Sequence, residues 1–424
     1  MASRTLKFVD VFAGCGGLSM GLMQAGLKGR FAIENSPDAF ATLSTNLLKR
    51  GAQPRYCWPR WLAKRPISIE DFIKSYSEEL SEIVGKIDIL AGGPPCQGFS
   101  AAGRRRHDDP RNKLFESYIK LVEKIEPKVI LIENVKGFTI DFKASPKVGN
   151  YSQKLRKSLE ENYQVFEKLL DLSEFGVPQR RTRYFLLAFS QDINLAEDPF
   201  VMLSKRLPSF LSTRKLRAPV SAAAAISDLE VSRCGTRPSQ DTAGFEEIAY
   251  GKALTSFQKM LNSRTERVKD LRLARHRPGI KARFAEIIEL MHAEGRLNTS
   301  IGGEIRDAFG LKKQALRVLD PDRPAPTITS MPDDLLHYAE ARTLTVRENA
   351  RLQTFPDWYE FKGKYTTGGA RRSFEVPRFT QVANAVPPLV ATVLGELIID
   401  ILRSSADTSL GLCNGTVHIS ELAA

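Results

Sequence analysis

The chain has 424 residues, with 62 Lys and Arg against 49 Asp and Glu, for a formal net charge of +13. That length allows one large domain and a smaller one, the composition is globular, and the charge favours a polyanionic partner. No apolar run reaches the roughly 20 residues of a membrane span, and a first strand starting by about Leu6 leaves no room before it for a secretory signal or transit peptide. Five scattered cysteines, Cys15, Cys57, Cys96, Cys234 and Cys413, have no pair at dithiol or zinc-knuckle spacing, and the five histidines make no ligand motif. A reducing compartment and no metal are expected.

Residues 1–190 read as alternating strands and helices. Short apolar runs at Leu6–Phe12, Arg30–Glu34, Ile87–Ala91, Val129–Glu133, Val165–Asp171 and Tyr184–Phe189 suit strands covered on both faces. Helices are predicted at Gly17–Ala25, Leu114–Ile125 (stopped by Pro127) and Ser152–Glu161. The texture then changes. Residues 191–325 hold Pro/Ser/Arg-rich stretches and an alanine run at Ala222–Ala225, with Thr265–Leu273 and Arg283–His292 as the best helical segments. They predict a smaller, less regular domain. Periodic structure resumes at Val346–Leu352, before a Phe355-Pro-Asp turn. Pro387–Leu402 reads as a buried helix, interrupted by Gly395 and Glu396, that packs back onto the first domain. A tail from Arg403 is expected to fray.

Three strand ends carry the chemistry. Asp10–Gly17 is a strand running into a glycine-rich turn and a helix. It is neither a Walker sequence nor a full dinucleotide fingerprint, and such runs also occur as plain strand–helix corners. Glu34 strengthens it, because a carboxylate about 20 residues on, closing the next strand, can hold both ribose hydroxyls. Ile89-Leu-Ala-Gly-Gly-Pro-Pro-Cys96-Gln-Gly places one thiol after a strand, on a stiff turn. A lone cysteine is ordinarily buried filler. Here Arg104, Arg105, Arg106 and Arg111 follow, and nearby cations would favour thiolate. Glu133 ends an apolar strand beside Asn134, where a carboxylate is costly unless it is solvated, paired or functional; partial burial would raise its pKa toward a proton donor's. In Gln179-Arg180-Arg181-Thr182-Arg183, strand alternation puts Arg181 and Arg183 on one face, able to grip phosphate or carboxylate. Residues 264–283 carry eight Arg/Lys against two acids, a nucleic-acid face or a solvated charge stripe.

Taken in order, these motifs resemble the DNA cytosine C5-methyltransferase family over about residues 5–190 and 325–400. They are Asp10-Val-Phe12-Ala-Gly14-Cys-Gly16-Gly17 with Glu34, Gly92-Gly93-Pro94-Pro95-Cys96-Gln97, Glu133-Asn134-Val135 and Gln179–Arg183. Later come Arg347-Glu348-Asn349-Ala350-Arg351-Leu352-Gln353-Thr354-Phe355-Pro356 and Gln381-Val382-Ala383-Asn384-Ala385-Val386-Pro387-Pro388.

The resemblance implies an α/β, Rossmann-like mixed sheet of the S-adenosylmethionine-dependent methyltransferase fold with a smaller target-recognition domain. The expected division is a catalytic and cofactor domain at 1–190, recognition at 191–325, a return segment completing the first domain at 326–402, and a tail at 403–424. It implies S-adenosylmethionine as donor and S-adenosylhomocysteine as product, held by Phe12, Gly14, Gly16, Gly17, Glu34, Asn35, Pro95, Leu114, Asn384, Ala385 and Val386. Cys96, Glu133, Arg181 and Arg183 are the implied catalytic set: thiolate attack on C6 of cytosine, Glu133 at N3, Arg183 in the base pocket, and Arg181 on phosphate or the pocket walls. Double-stranded DNA would meet Gln97, Ser100, Arg104, Arg105, Arg106, Arg275 and Arg277, with the target base flipped out. A Gln97–Arg111 loop would close over it. A monomer in the bacterial cytoplasm, without membrane attachment and paired with a separate restriction endonuclease, is expected. An RNA cytosine methyltransferase and a silent binder on the same fold are the rival readings.

Two positions depart from the family's pattern. Where it usually places an acid for the adenine amino group, this chain has Arg65-Pro66-Ile67, with Ser68 or Asp71 as substitutes. Its last motif usually reads Gly-Asn; here it is Ala383-Asn384.

Overall fold

Alternating side chains sort the strands between two hydrophobic cores. Along Lys7–Val11 (β1), Phe8 enters one core while Val9 and Val11 enter the other. Along Val129–Val135 (β4), Val129 and Leu131 join the first, and Ile130 and Ile132 the second. A strand with both faces buried has to be apolar nearly throughout, which is why these runs show no polar side.

The computed structural model describes residues 4–94, 113–140, 150–263, 265, 267–311, 315–366, 371 and 375–413. Four parallel strands, β1, Lys28–Ile33 (β2), Ile89–Gly92 (β3) and β4, are extended by Tyr163–Asp171 (β5) and Thr182–Ser190 (β6) in the order β2-β1-β3-β4-β6-β5, with β6 antiparallel to both its neighbours. The mixed α/β sheet is the one expected. All four parallel strands end on one edge, where open α/β sheets place their ligand crevice.

Gly17–Gln24 (α1) lies against the first core and Pro37–Leu47 (α2) follows β2, capped by Ser36. Lys113–Ile125 (α3) and Tyr151–Leu159 (α4) cover the other face with Ile69–Ser75. Pro199–Thr213 (α5) starts at Asp198, whose carboxylate accepts from Phe200 N at 2.7 Å. Phe200, Leu203 and Phe210 of α5, then Leu216 to Ile226, still belong to the first core. Beyond 190 the chain thus still presents an apolar face to the first core, which the Pro/Ser/Arg-rich texture hides. Two small cores lie beyond, one around Leu229, Ile248, Val268 and Leu271, and one around Phe284, Ile287, Met291 and Val318 on Pro278–Ala293 (α6). The chain returns to the first core at Phe257 and Leu261, and again at Leu319, Ala325 and Ile328.

Thr265–Leu273 does not form the predicted helix. Asp270 sits at φ 64°, which no right-handed helix admits, and Leu271 O and Leu273 N bond to the strand at Glu246–Ile248 instead. Val346–Leu352 (α7) forms as predicted, with a Thr345/Glu348 capping box. Arg378–Asn384 (α8) and Pro388–Cys413 (α9) follow, so the last helix runs well past Leu402 into the expected tail.

The length and apolarity of α9 would suit a membrane, yet its apolar window is 89% buried within the fold. It packs on α1. Gly21 permits this, since a Cβ there would lie 2.3 Å from Pro388 O and 2.4 Å from Ala391 Cβ. Gly395 answers from α9, where a Cβ would lie 2.7 Å from Ala25 Cβ. The two residues that interrupt the apolar run are thus contact points: Glu396 takes Arg206 and Arg214 of α5 at 3.1 and 2.8 Å. Gly21→Ala is expected to cost about 1–3 kcal/mol by overpacking this contact. Gly251→Ala, with open space around it, should change stability by less than about 0.5 kcal/mol. Equal thermal midpoints for the two variants would contradict the packing described.

Candidate active site

The chain leaves β1 through Phe12 and Gly14, both at positive φ (59° and 56°), and this turn opens a cleft of about 680 Å3 at the carboxyl edge of the sheet. Glu34, just past β2, holds the turn. One of its carboxylate oxygens accepts Gly14 N at 2.8 Å, the other Ser36 N at 2.6 Å. Burial pushes its carboxyl above the ordinary range, and the amides of Ser36, Gly14 and Asn35 oppose that. Phe12, Gly14, Gly17, Glu34, Asn35, Leu114, Asn384, Ala385 and Val386 all line this cleft. Gly16 is not among the lining residues; a Cβ there would meet Leu47 and Tyr359 at 2.9 Å. Gly17 brings the first and last motifs together, its virtual Cβ falling 2.4 Å from Val386 O.

The other end of the same cleft holds Glu133, Asn134, Arg181 and Arg183. Register explains the pairing. Arg183 on β6 lies opposite Val135 of β4, so Glu133, two residues back, is its diagonal neighbour on the same face. Arg183 Nε stands 3.2 Å from Glu133 Oε1, with each side chain about one-eighth exposed. Burial pushes Glu133 up, and Arg183, then Arg181, pull it back. The carboxyl is therefore poised to keep a proton more readily than a surface glutamate. Asn134 Nδ2 donates to Pro94 O at 3.1 Å, and a Cβ on Gly93 would come within 3.0 Å of Glu133 O. The backbone leading to the Pro95-Cys96 run is thus clasped to the end of β4.

Arg181 is buried and donates to Ala383 O at 2.8 Å, making it a wall between the start of β6 and the end of α8. Pro95, Cys96, Gln97, Ser100, Arg104, Arg105 and Arg106, with the rest of the expected closing loop to Arg111, lie outside the described residues. Arg275 is exposed and leans on the Phe245 ring, 4.8 Å from its centroid; Arg277 is exposed at the N-cap of α6. Where the family's acid was missing, Ile67, Ser68 and Glu70 line the cleft. Ser68 caps Ile69–Ser75 and donates to Asp71, which is not among the lining residues.

Several residues of the quoted motifs support the cleft in ways that the motifs alone do not state. Asp10 is buried beneath the cleft with Oδ1 lacking a hydrogen-bond partner, while Oδ2 accepts from Ser19. Burial lifts it to about 7, against the Ser19 hydrogen bond. Gln353 donates to Val382 O and Ala385 O at 2.9 and 3.0 Å and accepts from Gln179 at 3.0 Å, fixing the last motif from below. Fully buried Arg347 and Arg351 reach back to Asp270 and Asp228, within residues 191–325. A charged residue inside an apolar stretch was the available signal for Asp10; the amides gave none. Cys15 also lines the cleft, but burial pushes its thiol up to about 12, making it a poor nucleophile. Among the described residues no cluster of His, Cys, Asp and Glu could hold a metal.

The C-5 cytosine-specific DNA methylase family model matches residues 6–400. This chain belongs to that family. The type II methyltransferase M.DdeI of Desulfomicrobium norvegicum is 30% identical over 407 residues, covering 93% of this chain and 88% of the relative. M.AgeI of Thalassovita gelatinovora is 28% identical, covering 93% and 99%. A prophage-encoded E. coli protein described as a DNA modification methyltransferase has the same fold, with a TM-score of 0.63 at 22% identity over 94% of this chain and all of that one. The methylase is thus an enzyme of the DNA cytosine-5 methyltransferase class.

The Glu133–Arg183 pair yields a direct test. In Arg183→Ala the Glu133 carboxyl should titrate higher still, because the charge that pulls it down is gone. Carbon-13 NMR of labelled glutamate would follow it, and a downward shift would contradict the geometry.

Proposed function

We propose that this methylase transfers a methyl group from S-adenosylmethionine to C5 of a cytosine flipped out of duplex DNA, through a transient bond between Cys96 and C6 of the base. The observation that carries the reading is the shared cleft: Glu34 and the Gly14 turn at one end, Glu133 and Arg183 at the other, with Pro94 clasped between them two residues before Cys96.

The cofactor end fits a cationic nucleoside. Gly14 has open space where a side chain would project, Glu34 keeps lone pairs beyond its two amide bonds, and Asp10 carries a buried oxygen without a partner. Phe12, Glu34, Asn35 and the backbone at Asn384–Val386 would hold the adenosyl group and its chain, with Leu114 on the wall. When bound, the sulfonium supplies an electrophilic methyl group.

At the other end, cytosine C5 becomes nucleophilic only once electrons are pushed into the ring. The Cys96 thiolate forms a bond to C6 as the protonated Glu133 gives its proton to N3, and Arg183 holds Glu133 and the base edge. With electrons pushed to C5, that carbon would accept the methyl group that bound S-adenosylmethionine supplies, leaving S-adenosylhomocysteine. Loss of the C5 proton to a base then expels the thiolate, and the N3 proton returns to Glu133. Arg181 keeps the pocket wall closed on the last motif. The base reaches this cleft only when everted, since C6 is stacked within a duplex. Arg275 and Arg277 are the recognition-segment candidates for DNA contact, with Gln97, Ser100 and Arg104–Arg106 from the nucleophile loop. By kinship with the type II relatives, the methylase marks a fixed sequence that a partner endonuclease would otherwise cut.

Cys96→Ser should lower methyl transfer by at least about 1000-fold while S-adenosylhomocysteine and duplex binding stay within a few-fold. Glu133→Gln should lower turnover by roughly 100-fold or more with an intact fold. Wild-type turnover in either variant, measured as tritium transfer to DNA, contradicts the assigned roles. Conversion-resistant mapping of treated DNA should show cytosines within one short sequence.

A further inference from the structure

Between Asp38 and Glu70 the sequence has no acid but six cations, Lys49, Arg50, Arg55, Arg60, Lys64 and Arg65. All six are exposed, and among the described residues none of them makes an ion pair or a side-chain hydrogen bond. Elsewhere Arg206, Arg214, Arg347, Arg351 and Arg378 all find carboxylates.

The stretch is not loose. Tyr56 is buried and its hydroxyl donates to Ser19 at 2.6 Å. Trp58 donates through Nε1 to Leu62 O at 2.8 Å, and its ring stands edge-on to Phe40 and Tyr56. Trp61 meets Phe31 edge-on at 5.6 Å. Backbone bonds then track the edge strand β2: Cys57 N to Gly29 O at 2.8 Å near its start, and Ile67 N to Glu34 O at 2.8 Å past its end. Aromatic anchors therefore hold a strip of cations along the outside of the sheet. A concavity of about 520 Å3 on it, between Arg50, Arg55 and Lys64, shares no lining residue with the catalytic cleft.

Like charges fixed together repel one another, and a polyanion laid along them relieves that repulsion while releasing its own counterions. We propose that this strip is a second DNA-contacting surface, which binds the phosphodiester backbone of duplex lying outside the catalytic cleft. Three of the cations gather around the concavity and the others continue along the segment that tracks β2, a spread that suits a polymer over a single small phosphate. A membrane surface is disfavoured because none of the large exposed apolar side chains falls in this stretch. The choice of DNA rests on the substrate reading above, so binding is measured apart from methylation.

The test uses the full chain with Arg50→Ser, Arg55→Ser, Arg60→Ser and Lys64→Ser combined; thermal unfolding checks the fold, and the charge-reversed pair Arg50→Glu and Arg55→Glu provides a second variant. On a short duplex that just spans the recognition sequence, kcat/KM should stay within about twofold. On plasmid DNA with one such sequence, KM should rise about fivefold or more. There the slope of log binding constant against log salt should also become shallower by roughly two to four, since each phosphate that a cation neutralises adds about 0.9 to it. The charge-reversed pair should weaken plasmid binding further per residue. Equal weakening on both substrates, no change on either, or competition by inorganic phosphate at matched phosphate concentration would overturn the proposal. A protein that methylates no DNA would defeat the substrate reading, while the plasmid salt slope would still report on the strip.

Discussion

The end of β4 and the exit of β3 are locked together, and the site depends on that lock. Asn134 reaches across to Pro94 O, and Gly93 can lie against Glu133 only because it has no side chain. The chain then enters the cysteine run from a point already in contact with the acid. A flexible junction would leave thiol and carboxyl to find each other by diffusion of a loop. Pre-positioning of reacting groups is worth several kcal/mol of barrier, and a misplacement of about 1 Å can cost 100-fold. The antiparallel β6 completes the arrangement by carrying Arg183 back to Glu133 on the same face. Reversal of one strand in an otherwise parallel sheet has this chemical consequence: a parallel strand there would deliver its carboxyl end, not its start, to the active edge.

The remaining walls come from distant parts of the chain. α9 closes over α1 through Gly21 and Gly395, which seats Asn384–Val386 beside the Gly14 turn. Gln353 and Gln179 brace that wall from beneath. Asp228 and Asp270, within residues 191–325, are tied to this same region by charge. Arg351 grips Asp357 with two hydrogen bonds at 2.9 and 2.7 Å and also meets Asp228; Arg347 and Arg378 converge on Asp270. Burying such pairs costs several kcal/mol per ion in desolvation, which their attraction only repays when geometry is good, so they are weak evidence for extra stability. What they do supply is direction: they fix where the backbone at Asp228 and Asp270 lies against α7 and α8.

Much of this was legible. Six strand positions follow from short apolar runs because a doubly covered strand has no polar alternative, and Glu34 and Glu133 stood out as acids ending such runs. Their common cleft follows from parallel strands sharing one edge. The fold of Thr265–Leu273 was not legible. The backbone of Asp270 is set by partners, Arg347 and Arg378, about 80 to 110 residues away. Amphipathic spacing near residue 270 could not report that long-range demand. The packing of α5 on the first core was hidden likewise, because it presents its apolar face, Phe200, Leu203 and Phe210, between polar residues.

The central claim is that one sulfur and one carboxyl act on the same everted pyrimidine. Its most direct measurement is mass mapping after incubation with duplex in which the target cytosine is replaced by 5-fluorocytosine, with S-adenosylmethionine present. Fluorine at C5 cannot leave as a proton does, so the bond to C6 should persist. The account predicts a stable protein–DNA adduct on the peptide containing Cys96, absent in Cys96→Ser and formed much more slowly in Glu133→Gln. An adduct at another cysteine, or full methyl transfer to ordinary DNA with no adduct on the fluorinated duplex, would contradict it.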